Sequence, residues 1–353
     1  MKFIGPIDPH VHLRGEEYAE MPYFEWGFND AYACGLCALL EMPNPKPWLT
    51  TVEAIDRRLN RPDKPRIYHG IHVGLTNDLN QTETILSILK QRLIPEMKQV
   101  AADKIFYTHS TGNMGILDEN IQKKIWELKG EVHYKGVSIG HFEDEKMFVG
   151  SFDYKDPVSH SIYQNAHSEI IQVERQYALA CKFGFRGIFY IAHVSNPHTI
   201  DFVVAERKKG TPFEIIIECT WHHMFLNYDD YNIHGNRVKM NPPIRSAERQ
   251  AKILEHVLRG NVNIIGTDHA PHPVTRKDSD TPPSGVPAIP FWPKGIELLK
   301  KEGMSDERIK ELSFGCANRI FNLKLKENMV DVEYNHDLWT KYGYNSFSRI
   351  DGS

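Results

Sequence analysis

Eight short apolar runs lie near residues 3–8, 37–42, 67–74, 103–107, 137–141, 187–193, 213–219 and 262–267. Longer amphipathic stretches separate them, and this alternation constrains the chain more than any other feature. In Thr51–Leu59, Thr82–Val100, Ser168–Phe183, Thr199–Lys209 and Ser246–Leu258 the apolar residues recur every three and four positions, the period of a helix with one buried face. Strand and helix in regular alternation predict repeated βα units around a parallel sheet, and eight such units predict a (β/α)8 TIM barrel. A chain of 353 residues is long enough for one barrel. No solenoid-type repeat or long Gly/Ser linker interrupts the pattern, and the only Pro-dense loop is Thr281–Pro293. Residues 1–322 are therefore expected to form a single catalytic domain, and the polar, aromatic tail 323–353 offers no pattern from which to expect a structure.

Charge removes several classes of function. Lys and Arg total 42 against 46 for Asp and Glu, so no global positive field exists to hold nucleic acid or an anionic membrane. No apolar run reaches the ~18 residues of a membrane span, and no leader precedes the first strand, so a cytoplasmic protein is expected. Five cysteines, an odd number on a large chain, do not suit a disulfide framework. The Cys34-Gly35-Leu36-Cys37 spacing falls where a helix should turn into the second strand, which makes Gly35 a helix stop rather than part of a redox loop.

Chemistry-capable residues follow the ends of the predicted strands, where a parallel barrel builds its active face. The first run ends in Asp8-Pro9-His10-Val11-His12-Leu13-Arg14, and two histidines two positions apart share one side of a strand, so they could share a cation. A lone His-x-His is equally compatible with an ordinary packed pair; the rest of the set gives it weight. Lys104 stands in a largely apolar strand where a bare ammonium is costly to bury. Either it reaches to the rim, or its neutral amine captures carbon dioxide to give a carbamate that bridges two metal ions. His141, His193 and Asp268 each fall where a strand should give way to a loop. Imidazole and carboxylate without sulfur suit zinc, and these six side chains suffice for a two-metal cluster with a bridging hydroxide.

Taken with Glu41-Met42-Pro43-Asn44-Pro45, Glu218-Cys219-Thr220-Trp221-His222-His223, Lys239-Met240-Asn241-Pro242-Pro243-Ile244-Arg245 and Thr267-Asp268-His269-Ala270-Pro271-His272, these residues make the sequence resemble the amidohydrolase superfamily, and within it the dihydroorotases, over about residues 5–320. The resemblance implies a (β/α)8 barrel with two zinc ions per chain. His10, His12 and Asp268 would hold one, His141 and His193 the other, with carboxylated Lys104 and hydroxide bridging them. It implies that Arg14, with Asn44 and His272, grips a substrate carboxylate, and that Asn241 meets the pyrimidine ring or ureido group. A guanidinium is suited to that grip, since it forms two parallel charged hydrogen bonds. The implied activity is the reversible cyclisation of N-carbamoyl-L-aspartate to L-dihydroorotate in pyrimidine biosynthesis, with Asp268 as proton carrier. Homodimerisation and association with aspartate transcarbamoylase are family expectations.

The chain departs from the family in three places. Trp221 stands where many relatives have Pro. Only a few residues precede the first strand, so a barrel without a substantial N-terminal β-sandwich is expected. Nothing is carried over to the tail. A hydantoinase-like, dihydropyrimidinase-like or allantoinase-like amidase is the nearest rival, and an inactive scaffold homologue the second; the first would not need Arg14, and the second would be expected to lose ligands. Residues 108–114 are expected to form a lid over the substrate. Asp8 is expected to be structural, Glu143 and Asp144 to orient the His141 turn, and His222 and His223 to point to opposite sides of a strand. His133, His160, His167, His198, His234 and His256 are expected at the surface.

Overall fold

The structure, a computed structural model, describes residues 1–91, 99–109 and 114–352. Ten strands are present among them: β1 (Lys2–Ile4), β2 (Ile7–Val11), β3 (Ala38–Glu41), β4 (Tyr68–Gly74), β5 (Val100–Phe106), β6 (Val137–His141), β7 (Ile188–Ile191), β8 (Glu214–Thr220), β9 (Ile264–Gly266) and β10 (Met329–Asp331). Strands β2 to β9 form one parallel sheet in sequence order. Beyond its last strand the His12 amide donates to the His269 carbonyl at 2.7 Å, which carries the sheet back towards β2. This is a (β/α)8 barrel, with helices such as Tyr23–Ala33, Val52–Leu59, Glu119–Glu131, His167–Lys182, Pro197–Lys209 and Ala247–Leu258 on its outside. No described helix is long and apolar enough to cross a membrane.

The local sequence explains how the units are punctuated. Thr51 accepts from the Ala54 amide and Ser246 from the Arg249 amide, each capping a helix start. Asn196 caps the next helix with Pro197 in its first turn, where a missing N–H costs nothing. Gly35, at φ 79°, follows the end of Tyr23–Ala33, and both neighbouring cysteines are free thiols.

Alternation along the strands sorts side chains between two layers. In β8, Ile215 and Ile217 pack into the cluster between sheet and helices, whereas Ile216 joins an inner cluster with Ile7, Leu40, Ala102 and Ile139. Phe314 and Phe321 fill out this inner cluster. The period of two then places Lys104 on the side of Ala102, His141 on the side of Ile139 and Glu218 on the side of Ile216, all facing the barrel axis.

Three features differ from the sequence reading. The first run is split at Gly5-Pro6: Lys2–Ile4 pairs antiparallel with Met329–Asp331 outside the barrel, and only Ile7–Val11 enters it. Pro6 has no N–H to continue a ladder. The helix expected over 82–100 starts at Leu79 and is described to Gln91, residues 92–98 lie outside the described residues, and Val100 already opens β5. The tail is ordered against the barrel. Tyr342 donates to Asp30 at 2.6 Å, Arg349 reaches Asp230 at 2.7 and 2.8 Å, and the rings of Phe347 and Phe291 stack 4.1 Å apart.

Candidate active site

The C-terminal ends of the barrel strands converge on a small cavity lined by His10, His12, Arg14, Asn44, His141, His193, Asn241 and Asp268, eight of the ten residues expected from the sequence. Lys104 and His272 are not among its lining residues. A larger cavity of about 430 Å3 opens on the other side of Arg14, but it holds none of these histidines, so the chemistry belongs to the small one.

His10 Nε2 and His12 Nε2 approach the same Asp268 oxygen, at 3.3 and 2.9 Å. Their three ligand atoms lie within 4.8 Å of one another, a group able to hold a metal ion. The His10 ring is 5.2 Å from that of His193, which in turn is 4.5 Å from His141, so the four imidazoles form a continuous set. Burial alone would raise the Asp268 carboxyl; the charges of His10 and His12 overturn this and hold it at about 2. Lys104 is fully buried, and its Nζ has no hydrogen-bond partner among the described residues. Burial lowers its pKa to about 8, although the Glu218 and Asp268 carboxylates pull the other way. A buried amine and a His193 Nδ1 that both lack partners among the described residues, beside nitrogen and oxygen donors, fit a metal centre.

Neighbouring polar side chains orient these rings. His10 Nδ1 meets Glu218 at 2.8 Å, His12 Nδ1 meets Asn44 Oδ1 at 2.6 Å, and His141 Nε2 meets Glu143 at 2.8 Å. Asn44 therefore orients a histidine as well as lining the cavity. Glu218 carried no role in the sequence reading, yet it also accepts from Tyr190 Oη at 2.7 Å and from the His193 amide at 3.0 Å. Burial raises its carboxyl to about 7. A carboxylate at the end of Ile215-Ile216-Ile217 was the available signal. Asp8 is structural as expected: it accepts from Thr267 Oγ1 at 2.6 Å and Trp292 Nε1 at 3.1 Å, joining β2 to the segment after β9.

Arg14 is buried and donates from Nε to the Pro271 carbonyl at 3.0 Å; its Nη2 lies 2.8 Å from His272 Nε2, which also lies 2.8 Å from the Ser284 carbonyl. Tyr18 Oη sits 2.5 Å from the other nitrogen of His272. His272 thus holds Arg14 rather than lining the cavity. Arg14, His193 and Asp268 have φ of 59°, 38° and 49°, a region that costs a non-glycine residue roughly 1–3 kcal/mol and that clusters at functional sites.

Other histidines depart from expectation. His222 and His223 lie in a short helix, Trp221–Phe225, so the opposite-sides argument for a strand does not apply. His223 is bonded to Thr220 and to the Pro242 carbonyl, and Trp221 packs edge-on against Trp292. His160 is buried, because the helix it sits on packs inward. Of the expected lid, residues 110–113 lie outside the described residues; at its near edge Thr108 Oγ1 donates to Glu145 at 2.8 Å.

No family model matches the chain. The dihydroorotase of Halobacterium salinarum is 27% identical over 331 residues, covering 92% of this chain and 73% of that protein. The dihydroorotase of Methanosphaera stadtmanae is also 27% identical, covering 91% of this chain and 71% of its own. Both relatives are dihydroorotases, and the chain is similar to them over about nine-tenths of its length. In fold it is similar to the L-hydantoinase (dihydropyrimidinase) of Arthrobacter aurescens, with a TM-score of 0.79 at 20% identity over 95% of this chain and 75% of that one. The group able to hold a metal ion, His10, His12 and Asp268, lies at the strand ends of this fold.

Proposed function

We propose that this enzyme interconverts N-carbamoyl-L-aspartate and L-dihydroorotate at a two-zinc centre, with His10, His12 and Asp268 on one ion, His141 and His193 on the other, and carboxylated Lys104 between them. The observation that carries this reading is one cavity lined by those histidines and Asp268 together with the guanidinium of Arg14. A hydantoin or dihydrouracil ring has no carboxylate for Arg14 to grip, whereas dihydroorotate does. Bound there, the metal pair supplies a Lewis acid for the carbonyl under attack and a source of nucleophile from water at neutral pH.

The chain's own groups do the rest. Lys104, with its pKa lowered to about 8, holds a usable fraction of neutral amine, which adds to carbon dioxide and releases one proton as the carbamate forms. Arg14, steadied by His272 and the Pro271 carbonyl, fixes the substrate carboxylate. The Asp268 carboxylate takes the proton of the attacking water and returns it to the ring nitrogen as the amide C–N bond breaks; cyclisation is the reverse. Residues 1–322 act as the catalytic barrel and 323–353 as an appended tail. The family resemblance supports a cytoplasmic homodimer and association with aspartate transcarbamoylase.

The test is elemental analysis of a sample assayed with both compounds and with dihydrouracil. About two zinc ions per chain, turnover in both directions and none of dihydrouracil is the expected result. Equal turnover of dihydrouracil would move the enzyme to the hydantoinase-like amidases. A chain inert after zinc and bicarbonate are supplied would be a scaffold.

A further inference from the structure

Beside the cavity, Lys239 Nζ lies 2.7 Å from Ser284 Oγ, which lies 2.9 Å from Asn241 Oδ1. An ammonium can only donate, so Ser284 Oγ accepts from it, and the Ser284 hydroxyl in turn donates to Asn241 Oδ1. The Asn241 atom at that end is the oxygen. Its Nδ2, which has no acceptor among the described residues, is left as the donor towards the cavity that Asn241 lines.

Lys239 has no carboxylate partner among the described residues; the Phe152 ring, 5.1 Å away, is its other neighbour of note. Burial lowers its pKa to about 8, which leaves the ammonium form dominant at neutral pH. A cation that donates into a hydroxyl, which donates into an amide, polarises the chain and strengthens the amide as a donor at its far end. The frame is rigid. Fully buried Lys277 donates to the carbonyls of Lys239, Pro283 and Gly285 at 2.8, 3.0 and 3.0 Å, and the Gly285 amide donates to the Lys239 carbonyl at 2.9 Å. Gly285 has φ 131°, and a Cβ there would lie 2.5 Å from the Ala270 carbonyl oxygen, so this approach requires glycine.

We propose that Ser284 and Lys239 are positioning residues for the reaction: they lock the Asn241 carboxamide so that its Nδ2 donates to a carbonyl oxygen of the substrate's ring or ureido group. This rests on the reading of Asn241 as a substrate contact. The site then selects a ligand with an acceptor at that point and disfavours one that presents N–H.

The test uses the full, metal-loaded enzyme with Ser284→Ala, Lys239→Met and the double variant. Each single change should raise KM about five- to tenfold with kcat within about twofold, the weight of one charge-assisted hydrogen bond. Because the two act as one chain, the double variant should be no worse than Ser284→Ala, and Ser284→Thr should restore the wild-type KM. Unchanged KM in the single variants, or effects that multiply in the double, overturns the proposal. A second readout is independent of turnover: the Asn241 side-chain amide resonance, identified by its loss in Asn241→Asp, should shift in both single variants. A stationary resonance overturns the relay even if the wild type turns over neither compound, a result that by itself would overturn only the assigned reaction.

Discussion

Glu41 and Arg58 form a buried pair that reaches the substrate grip through the backbone. Arg58 Nε donates to Glu41 at 2.9 Å, a second guanidinium contact closes the fork, and Arg58 Nη2 donates to the Arg14 carbonyl at 2.7 Å. Burial pushes the Glu41 carboxyl up, but the Arg58 charge and hydrogen bonds from His69 and Arg58 hold it at about 2, against 4.5 in an unfolded chain. At about 1.4 kcal/mol per tenfold change in proton affinity, that gap corresponds to about 3 kcal/mol. Since the folded pKa is the lower one, this contribution is complete above pH 4.5 and is lost as pH falls through about 2. Glu41→Gln removes the titration and leaves Arg58 buried without its charge partner, which should destabilise the protein by roughly 3–5 kcal/mol at neutral pH. Urea unfolding of metal-free wild type and variant, followed by tryptophan fluorescence, should show their stability difference shrinking by about 3 kcal/mol between neutral pH and pH 2. A difference constant across that range would refute the argument. The variant should also show a raised KM, because the residue anchoring Arg14 at its φ of 59° loses its own anchor.

Three further outcomes follow from the site. Arg14→Ala should raise KM roughly 10- to 100-fold with kcat little changed, the value of a charged hydrogen-bonded grip that is equal in ground and transition states; steady-state kinetics with an unaltered KM would remove Arg14 from the substrate. Asp268→Ala should lower turnover roughly 10²- to 10⁴-fold through loss of the proton carrier and should also lower metal content. Near-normal turnover would sink that assignment. Lys104→Met keeps the buried volume but cannot form a carbamate, so elemental analysis should find less metal and assays little turnover; a fully loaded, active Lys104→Met protein would show that Lys104 bridges nothing.

Much of the site was legible before folding because strand ends are where a parallel barrel does chemistry. His10, His12, His141, His193 and Asp268 were readable from their place after apolar runs, and the structure brings all five to one cavity. The part Glu218 plays is not legible in its motif, because its partner His10 is 208 residues away and nothing local marks the contact. His222 and His223 misled because a helix starts at Trp221, directly after β8, and replaces the period of two with one of 3.6. The tail was unreadable because its order comes from contacts such as Tyr342 with Asp30, 312 positions apart.

The number of βα units and, through the alternation of two along each strand, the set of side chains facing the barrel axis are written in the order of the residues. Those are consequences of local periodicity, which no distant residue can alter without breaking the strand. Three-dimensional closure sets which partner each inward group meets: that Lys104 has none among the described residues, that His272 turns to Arg14, and that Ser284 comes between Lys239 and Asn241. Such pairings depend on closure of the sheet and on the paths of the loops beyond it, where residues hundreds of positions apart are brought within a hydrogen bond of one another.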